Sequence, residues 1–263
     1  MTIATYNVNG INARLPVLLQ WLAQTAPDVV CLQELKTPQD KFPQTILEQA
    51  GYQAIWKGQK SWNGVAILAR PDTQLLEIRR ELPGEEQDDQ SRYLETQVDG
   101  TVIGCLYLPN GNPAPSPKFD YKLRWFDHLI AHATTLLAAK MPAVLAGDFN
   151  VIPTPTDAYN YQRWLADALF RPESRKAYNQ LLELGWIDSL RQLNPTERLY
   201  TYWDYWGNAY NRNDGLRIDH LLISPLLATQ LVAADVDCFV RGWLKTSDHA
   251  PAWIKLSKSG MDG

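Results

Sequence analysis

Pro142-Ala143-Val144-Leu145-Ala146-Gly147-Asp148-Phe149-Asn150 is an apolar run closed by a glycine, a carboxylate and, two positions later, a carboxamide. In extended chain, residues two apart point to the same side. The run therefore reads as a strand whose end throws Asp148 and Asn150 onto one edge of a sheet. One can accept a proton or hold a metal; the other can orient a water.

Four more apolar runs carry polar groups at their ends. Thr2-Ile3-Ala4-Thr5-Tyr6 leads into Asn7-Val8-Asn9-Gly10, and Asp28-Val29-Val30-Cys31-Leu32 leads into Gln33-Glu34-Leu35-Lys36. Leu216-Arg217-Ile218-Asp219-His220 precedes Leu221-Leu222-Ile223, and Ser247-Asp248-His249-Ala250-Pro251 precedes Trp253-Ile254. Turn formation accounts for any one of them, since Asn, Asp and Gly are common turn residues. For five together, one composite site is the better explanation.

Strand-like runs recur at residues 2–7, 28–33, 52–57, 64–69, 92–98, 101–108, 143–148, 217–223, 235–240 and 250–256. Leu15, Leu18, Leu19 and Leu22 mark an amphipathic helix ended before Pro27; Trp125, Leu129, His132 and Leu136 mark a second, and Tyr178, Leu181, Leu182 and Leu184 a third. This alternation predicts an α/β protein in which helices cover packed sheets.

With 263 residues and 45% hydrophobic content, the chain can bury a large core, and layered folds of about 200 to 250 residues are commonly one domain. One domain over residues 1–256 is expected, with a frayed tail over 257–263. No run approaches the roughly 20 apolar residues of a membrane helix, and the first residues lack the pattern of a signal peptide. A cytoplasmic protein without membrane contact is the expectation. Cys31, Cys105 and Cys238 read as reduced packing thiols. A net charge of −4 argues at first against DNA, but a divalent cation held by carboxylates puts positive charge where a phosphate sits.

Together, Asn7-Val8-Asn9-Gly10, Leu32-Gln33-Glu34-Leu35-Lys36, Trp62-Asn63-Gly64-Val65-Ala66, Tyr107-Leu108-Pro109-Asn110-Gly111, Gly147-Asp148-Phe149-Asn150, Gly215-Leu216-Arg217-Ile218-Asp219 and Ser247-Asp248-His249-Ala250-Pro251 resemble the motifs of exonuclease III type enzymes. These are the class II abasic-site endonucleases of the endonuclease/exonuclease/phosphatase superfamily. The resemblance covers nearly the whole chain in the family's order. It implies a four-layered α/β sandwich, two mixed β-sheets packed face to face with helices outside. It also implies a monomeric repair phosphodiesterase that cuts double-stranded DNA 5′ to an abasic site and trims blocked 3′ ends, using Mg2+ with Mn2+ as a substitute.

Phosphodiester hydrolysis needs a polarised phosphoryl oxygen, a base for water and donors for the growing negative charge. Glu34 is the foremost Mg2+ ligand, since hard oxygen donors suit that ion; Asn7, Asn9 and Asp248 support it. Some members of the family carry Asp where this chain has Asn9, so the site has one anionic ligand fewer. The resemblance makes Asp148 the base, Asn150 its partner in orienting water, His249 the group facing the phosphate with Asp219 holding its ring, and Tyr107 and Asn110 donors to phosphate oxygens. His220 reads as a sheet residue, His128 and His132 as helix surface.

The stretch Tyr202–Trp206 with Asn211–Leu216 resembles the family's abasic pocket. Tyr202, Leu216 and Ile218 would line an apolar slot for a base-free, flipped-out sugar, with Arg212, Arg217, Trp206 and Lys118 contacting DNA. Lys57, Lys60, Lys122, Arg241 and Lys245 are further candidates for a phosphate track. Leu169 and Phe170 are expected at the pocket rim, tilting activity toward 3′ ends, and the loop over residues 81–89 as a solvated acidic loop. The rival readings are a superfamily enzyme acting on RNA or small phosphodiesters, and a catalytically silent nucleic-acid-binding regulator.

Overall fold

The computed structural model describes residues 1–257. Its strands are β1 (Thr2–Asn7), β2 (Val29–Gln33), β3 (Gln53–Lys57), β4 (Val65–Ala69), β5 (Leu75–Arg79), β6 (Tyr93–Val98), β7 (Thr101–Tyr107), β8 (Ala143–Asp148), β9 (Ile187–Asp188), β10 (Asp219–Ile223), β11 (Leu231–Val236) and β12 (Ala252–Leu256). The helices are α1 (Ile11–Thr25), α2 (Gln44–Gln49), α3 (Pro117–Ala138), α4 (Pro172–Glu183) and α5 (Ser189–Leu193).

The strands form two six-stranded sheets, ordered β11-β12-β1-β2-β4-β3 and β5-β6-β7-β8-β10-β9. Each is mixed: β1 and β2 run parallel in one, β7 and β8 in the other, among antiparallel neighbours. Successive residues of a strand face opposite ways, and here both faces are covered. Ile3, Val29, Cys31 and Ile67 of the first sheet meet Ile103, Cys105, Val144 and Leu221 of the second in the central core. The other face of the first sheet, with Tyr6, Leu32 and Leu68, packs on Leu18, Trp21 and Leu22 of α1. The outer face of the second, with Leu106, Leu145 and Leu222, packs on Trp125, Phe126 and Leu129 of α3 and Tyr178 and Leu181 of α4. The result is the expected four layers, and it explains why the central strands read as unbroken apolar runs rather than alternating ones.

The departures lie at sheet edges. The strand expected over 235–240 is β11 at 231–236, followed by a short 3-10 turn over Cys238–Gly242. The edge strand β5 is not among the expected strands, although Leu76-Glu77-Ile78-Arg79 alternates; the alternation is short and its apolar members Leu76 and Ile78 stand exposed. Of the expected frayed tail, residues 258–263 lie outside the described residues, whereas the Ser257 N–H donates to the Gln230 carbonyl at 2.8 Å. All three cysteines are free, two of them buried. Among the described residues no helix is long and apolar enough to cross a membrane.

Two local features aim the polar groups. Gly147 lies so close to β7 that a Cβ would sit 1.9 Å from the Leu106 carbonyl oxygen; any side chain would push the two strands apart. The ladder places Asp148 opposite both Tyr107 and Asp219, so three polar residues from three strands meet at one edge.

Candidate active site

Asn7, at the end of β1, joins the two sheets. Its Nδ2 donates to Glu34 Oε1 and to Asp148 Oδ2, each at 3.0 Å. Glu34 follows β2 with a left-handed φ of 53°, which turns its side chain back toward β1. Tyr107 OH donates to Glu34 Oε1 at 2.7 Å, and Lys36 Nζ lies 2.7 Å from Oε2. Burial pushes the Glu34 carboxyl up, but the Lys36 ammonium and the Asn7 and Tyr107 donors more than offset this and hold it below the usual carboxylate range. Tyr107 is shifted well upward by burial and by the Glu34 and Asp148 charges, so its phenol stays protonated as a donor.

The second half of the site comes from β8, β10 and the turn before β12. His249 Nδ1 pairs with Asp219 Oδ2 at 2.7 Å, and its Nε2 lies 3.9 Å from Asp148 Oδ2. Burial works against an imidazolium, yet Asp219 more than reverses it and raises His249 to about 10. Burial and the facing Asp219 carboxylate push Asp148 up to about 7, against the pull of His249 and the Asn150 N–H. A partly basic carboxylate thus stands beside a cationic ring. Thr201 Oγ1, a hydroxyl that sequence reading missed, accepts the Ile218 and Asp219 N–H groups at 3.1 Å each and pins the start of β10.

Asn150 also has a left-handed φ, 47°. Its N–H donates to Asp148 Oδ1 at 2.9 Å, its Nδ2 to the Leu108 carbonyl at 2.9 Å, and its Oδ1 accepts from Asn110 Nδ2 at 3.1 Å. The side chain is thus committed to holding the turn and Asn110. Asn9 Nδ2 donates to Asp248 Oδ1 at 3.0 Å and Asn9 Oδ1 accepts from Lys36 Nζ at 2.6 Å. Asn9, Glu34, Lys36, Tyr107, Asn110, Lys118 and Asp248 line one open cleft of about 720 Å3, together with Trp62, Gln90 and Arg92. Trp62 is 76% exposed; it opens the Trp62–Ala66 motif, yet sequence reading gave it no role, and Lys36 was within reach as the opposite charge two positions after Glu34.

Tyr202 packs edge-on to His249, with ring centroids 5.1 Å apart, and bridges Leu216 in backbone pairing. Leu216 and Ile218 stand with it, but their side chains are buried with Ile152, Ala158, Leu169 and Phe170. Leu169 and Phe170 therefore support this cluster from within and are not rim residues, because their apolar bulk is taken up by packing. Trp206 is exposed, and exposed Arg212 pairs with Asp214.

Arg217 is not a DNA contact. Its side chain is 1% exposed, with Nε donating to Asp157 Oδ1 at 2.7 Å and Nη1 to Asp188 Oδ2 at 2.8 Å. Lys122 is likewise buried rather than on the surface, with Nζ donating to the Asn110 and Asn150 carbonyls. His132 is buried against Glu95 at 2.5 Å, and His128 pairs with Glu85. In the acidic loop Leu82 and Glu85 are buried and Asp88 accepts from Tyr121 OH, so the loop is anchored to α3. His220 is a buried sheet residue, as expected.

The Endonuclease/Exonuclease/phosphatase family model matches residues 4–249. The exodeoxyribonuclease III of Haemophilus influenzae is 34% identical, covering 97% of this chain and 100% of its own. Two solved structures superpose over 98% of this chain and 100% of theirs: a 3′-5′ exonuclease from Neisseria meningitidis, at TM-score 0.94 and 39% identity, and an AP endonuclease from Archaeoglobus fulgidus, at 0.93 and 34%.

Proposed function

The chain belongs to the endonuclease/exonuclease/phosphatase family, and from that premise we propose that this phosphodiester-cleaving hydrolase is a Mg2+-dependent DNA repair nuclease, cutting duplex DNA 5′ to abasic sites and processing blocked 3′ ends. The observation that carries the reading is the meeting of Glu34, from one sheet, and Asp148, from the other, on the single Asn7 amide, with the Asp219–His249 pair alongside. Relatives named as exodeoxyribonuclease III and AP endonuclease support DNA as the substrate.

The residues fit a hard divalent cation. Glu34, Asp248 and the Asn9 carboxamide line the cleft and supply oxygen atoms, as Mg2+ prefers, while Asn7 is buried behind them, its Nδ2 on Glu34 and its Oδ1 accepting the Asn9 N–H. The Lys36 ammonium against Glu34 marks the same spot as one that attracts a cation. Glu34, positioned by Asn7 from behind rather than joined by it as a ligand, would hold the ion, with Asn9 and Asp248 supporting it. When bound, the ion polarises a phosphoryl oxygen and offsets its negative charge.

The chain's own groups account for the remaining chemistry. Asp148, poised near neutrality, takes the proton of the attacking water. The Asn150 N–H holds Asp148 Oδ1 and leaves Oδ2 facing His249 and Asn7. His249, kept cationic and oriented by Asp219, donates to the phosphate as charge builds. Tyr107, held protonated, and Asn110 stand on the other wall as further donors. Tyr202 beside His249 forms the side of the slot for a sugar without its base. Trp206 and Lys118, both exposed, and Arg212, exposed in a surface pair with Asp214, stand where they can meet the DNA backbone and flanking bases. The enzyme acts as a monomer in this proposal.

The test is one labelled duplex with a central tetrahydrofuran abasic analogue, incubated with Mg2+ and with EDTA. A single Mg2+-dependent cut 5′ to the analogue supports the reading. No cleavage of the duplex beside efficient hydrolysis of RNA or of a small phosphodiester would overturn it.

A further inference from the structure

Lys122 stands behind Asp148 and Asn150, and its role rests on those proposed for these two residues. Lys122 lies in the second turn of α3, which opens on Ser116, whose side chain caps the Lys118 and Phe119 N–H groups. Its side chain is fully buried and runs under the loop that follows β7. Gly111, at φ 87°, crosses it so closely that a Cβ there would lie 2.7 Å from Lys122 Cδ. The ammonium ends between two carbonyl oxygens, those of Asn110 at 3.1 Å and Asn150 at 2.5 Å.

Both carbonyls belong to cleft residues that also meet through their side chains, Asn110 Nδ2 donating to Asn150 Oδ1. The ammonium therefore ties the two segments from behind, while the carboxamides tie them in front. It does so at a residue in the left-handed region, which for a non-glycine residue costs on the order of 1 kcal/mol and persists only where the surroundings enforce it. The enforced turn is the one that aims the Asn150 N–H at Asp148 Oδ1.

Burying an ammonium without an adjacent carboxylate is unfavourable. Here burial pulls the Lys122 pKa down to about 7, and Asp148 and Asp167 favour its charge only through space. A methionine would fill the same channel without that penalty. A group retained against its own solvation does something that packing cannot, and among the described residues its hydrogen-bond partners are the two carbonyls.

We propose that Lys122 is a positioning residue for hydrolysis: by clamping the Asn110 and Asn150 carbonyls it holds the Asp148–Asn150 turn, and so the base, in its attacking geometry. It touches neither substrate nor metal. Without it the Asn150 carbonyl is orphaned, the turn relaxes, and Asp148 loses the N–H that directs it.

The experiment compares wild type, Lys122→Met, Asn150→Ala and the double variant under steady-state and single-turnover conditions, per folded molecule. The substrates are the abasic duplex and bis(4-nitrophenyl) phosphate. Because the clamp acts on the base, Lys122→Met should lower kcat on both substrates by about 100-fold, the loss typical of an angstrom-scale misplacement, with KM changed by less than about threefold. The double variant should be no more than about threefold slower than Asn150→Ala, since the two act through one turn. Unchanged kcat, a loss confined to KM, or losses that multiply in the double variant would each overturn the proposal. If Lys122→Met does not fold, Lys122→Gln carries the same test: it retains two N–H donors, so a kcat between wild type and Asn150→Ala supports the clamp and a kcat equal to wild type refutes it. Wild-type turnover of the small diester without cleavage of the duplex would instead refute the DNA reading and leave the Lys122 comparison intact.

Discussion

Replacing Arg217 with methionine should unfold the protein more readily while leaving its attraction for DNA intact. The guanidinium bridges Asp157 and Asp188 and touches His220 Nδ1 at 3.1 Å, all within the interior. Burial works against its charge, but Asp188 and Asp157 more than reverse that, and in return the Asp157 carboxyl, which burial alone would raise, is held well below its usual range. Methionine fills the volume and deletes the cation. Arg191 Nη2, at 2.7 Å, still serves Asp157, but Asp188 keeps only neutral donors, the Tyr178 hydroxyl at 3.0 Å and the Arg191 N–H at 3.2 Å. Breaking a buried ion pair from one side costs about 3 to 5 kcal/mol, which for a chain of this size lowers Tm by roughly 6 to 20 °C. Urea unfolding at pH 7 and scanning calorimetry measure the loss; adding Asp188→Asn should restore part of it by removing the stranded charge. Binding to a duplex across a salt series, without metal, reads the alternative, because a lost phosphate contact lowers affinity and flattens the salt slope by about one unit. A variant as stable as wild type but with a flatter slope would show that Arg217 serves DNA, and the scaffold argument would fail.

Asp148→Asn keeps the shape and one of the two accepted contacts, from the Asn150 N–H or from Asn7 Nδ2, but removes the base; kcat should fall by about 10²- to 10⁴-fold with an unchanged circular dichroism spectrum, and normal turnover would refute the assignment. Leu169→Ala, set in the cluster with Ile152, Leu216 and Ile218, should destabilise by about 2 to 5 kcal/mol in urea titration while the ratio of abasic cleavage to 3′-end trimming holds; a changed ratio at unchanged stability would return Leu169 to the rim. His220, buried and beside Arg217, has its pKa lowered from 6.5 to about 4, so between those values the unfolded chain binds more protons than the native one and stability rises with pH. About 3 kcal/mol is therefore lost as pH falls through that window, and His220→Gln should flatten the urea midpoint over pH 4 to 6.5; an equally steep curve in the variant would exclude this source.

The layered α/β architecture was legible because β2, β4 and β8 are buried on both faces, which leaves unbroken apolar runs ending in polar residues. The site was legible for the same reason: Asn7, Glu34, Asp148, Asp219 and Asp248-His249 all sit where an apolar run begins or stops. Their recurrence depends on strand ends, and strand ends are written locally. The edge strand β5 escaped because its alternation spans only Leu76 to Arg79, at the short limit of a strand signal, and its apolar residues stay exposed instead of marking a buried face.

What tertiary structure decided is which charges face water. Arg217, Lys122 and His132 carry the same local signature as surface residues, and only the approach of Asp157 and Asp188, of two carbonyls, and of Glu95 buries them. Leu169 and Phe170 likewise read as a bulky loop until Ile152, Ala158, Leu216 and Ile218 close over them. Hydrophobic periodicity is a property of neighbours along the chain, so sequence alone reports it. The solvation of a charge depends on partners far away in sequence, Arg217 on residues 60 and 29 positions away, and becomes fixed only when the chain has folded.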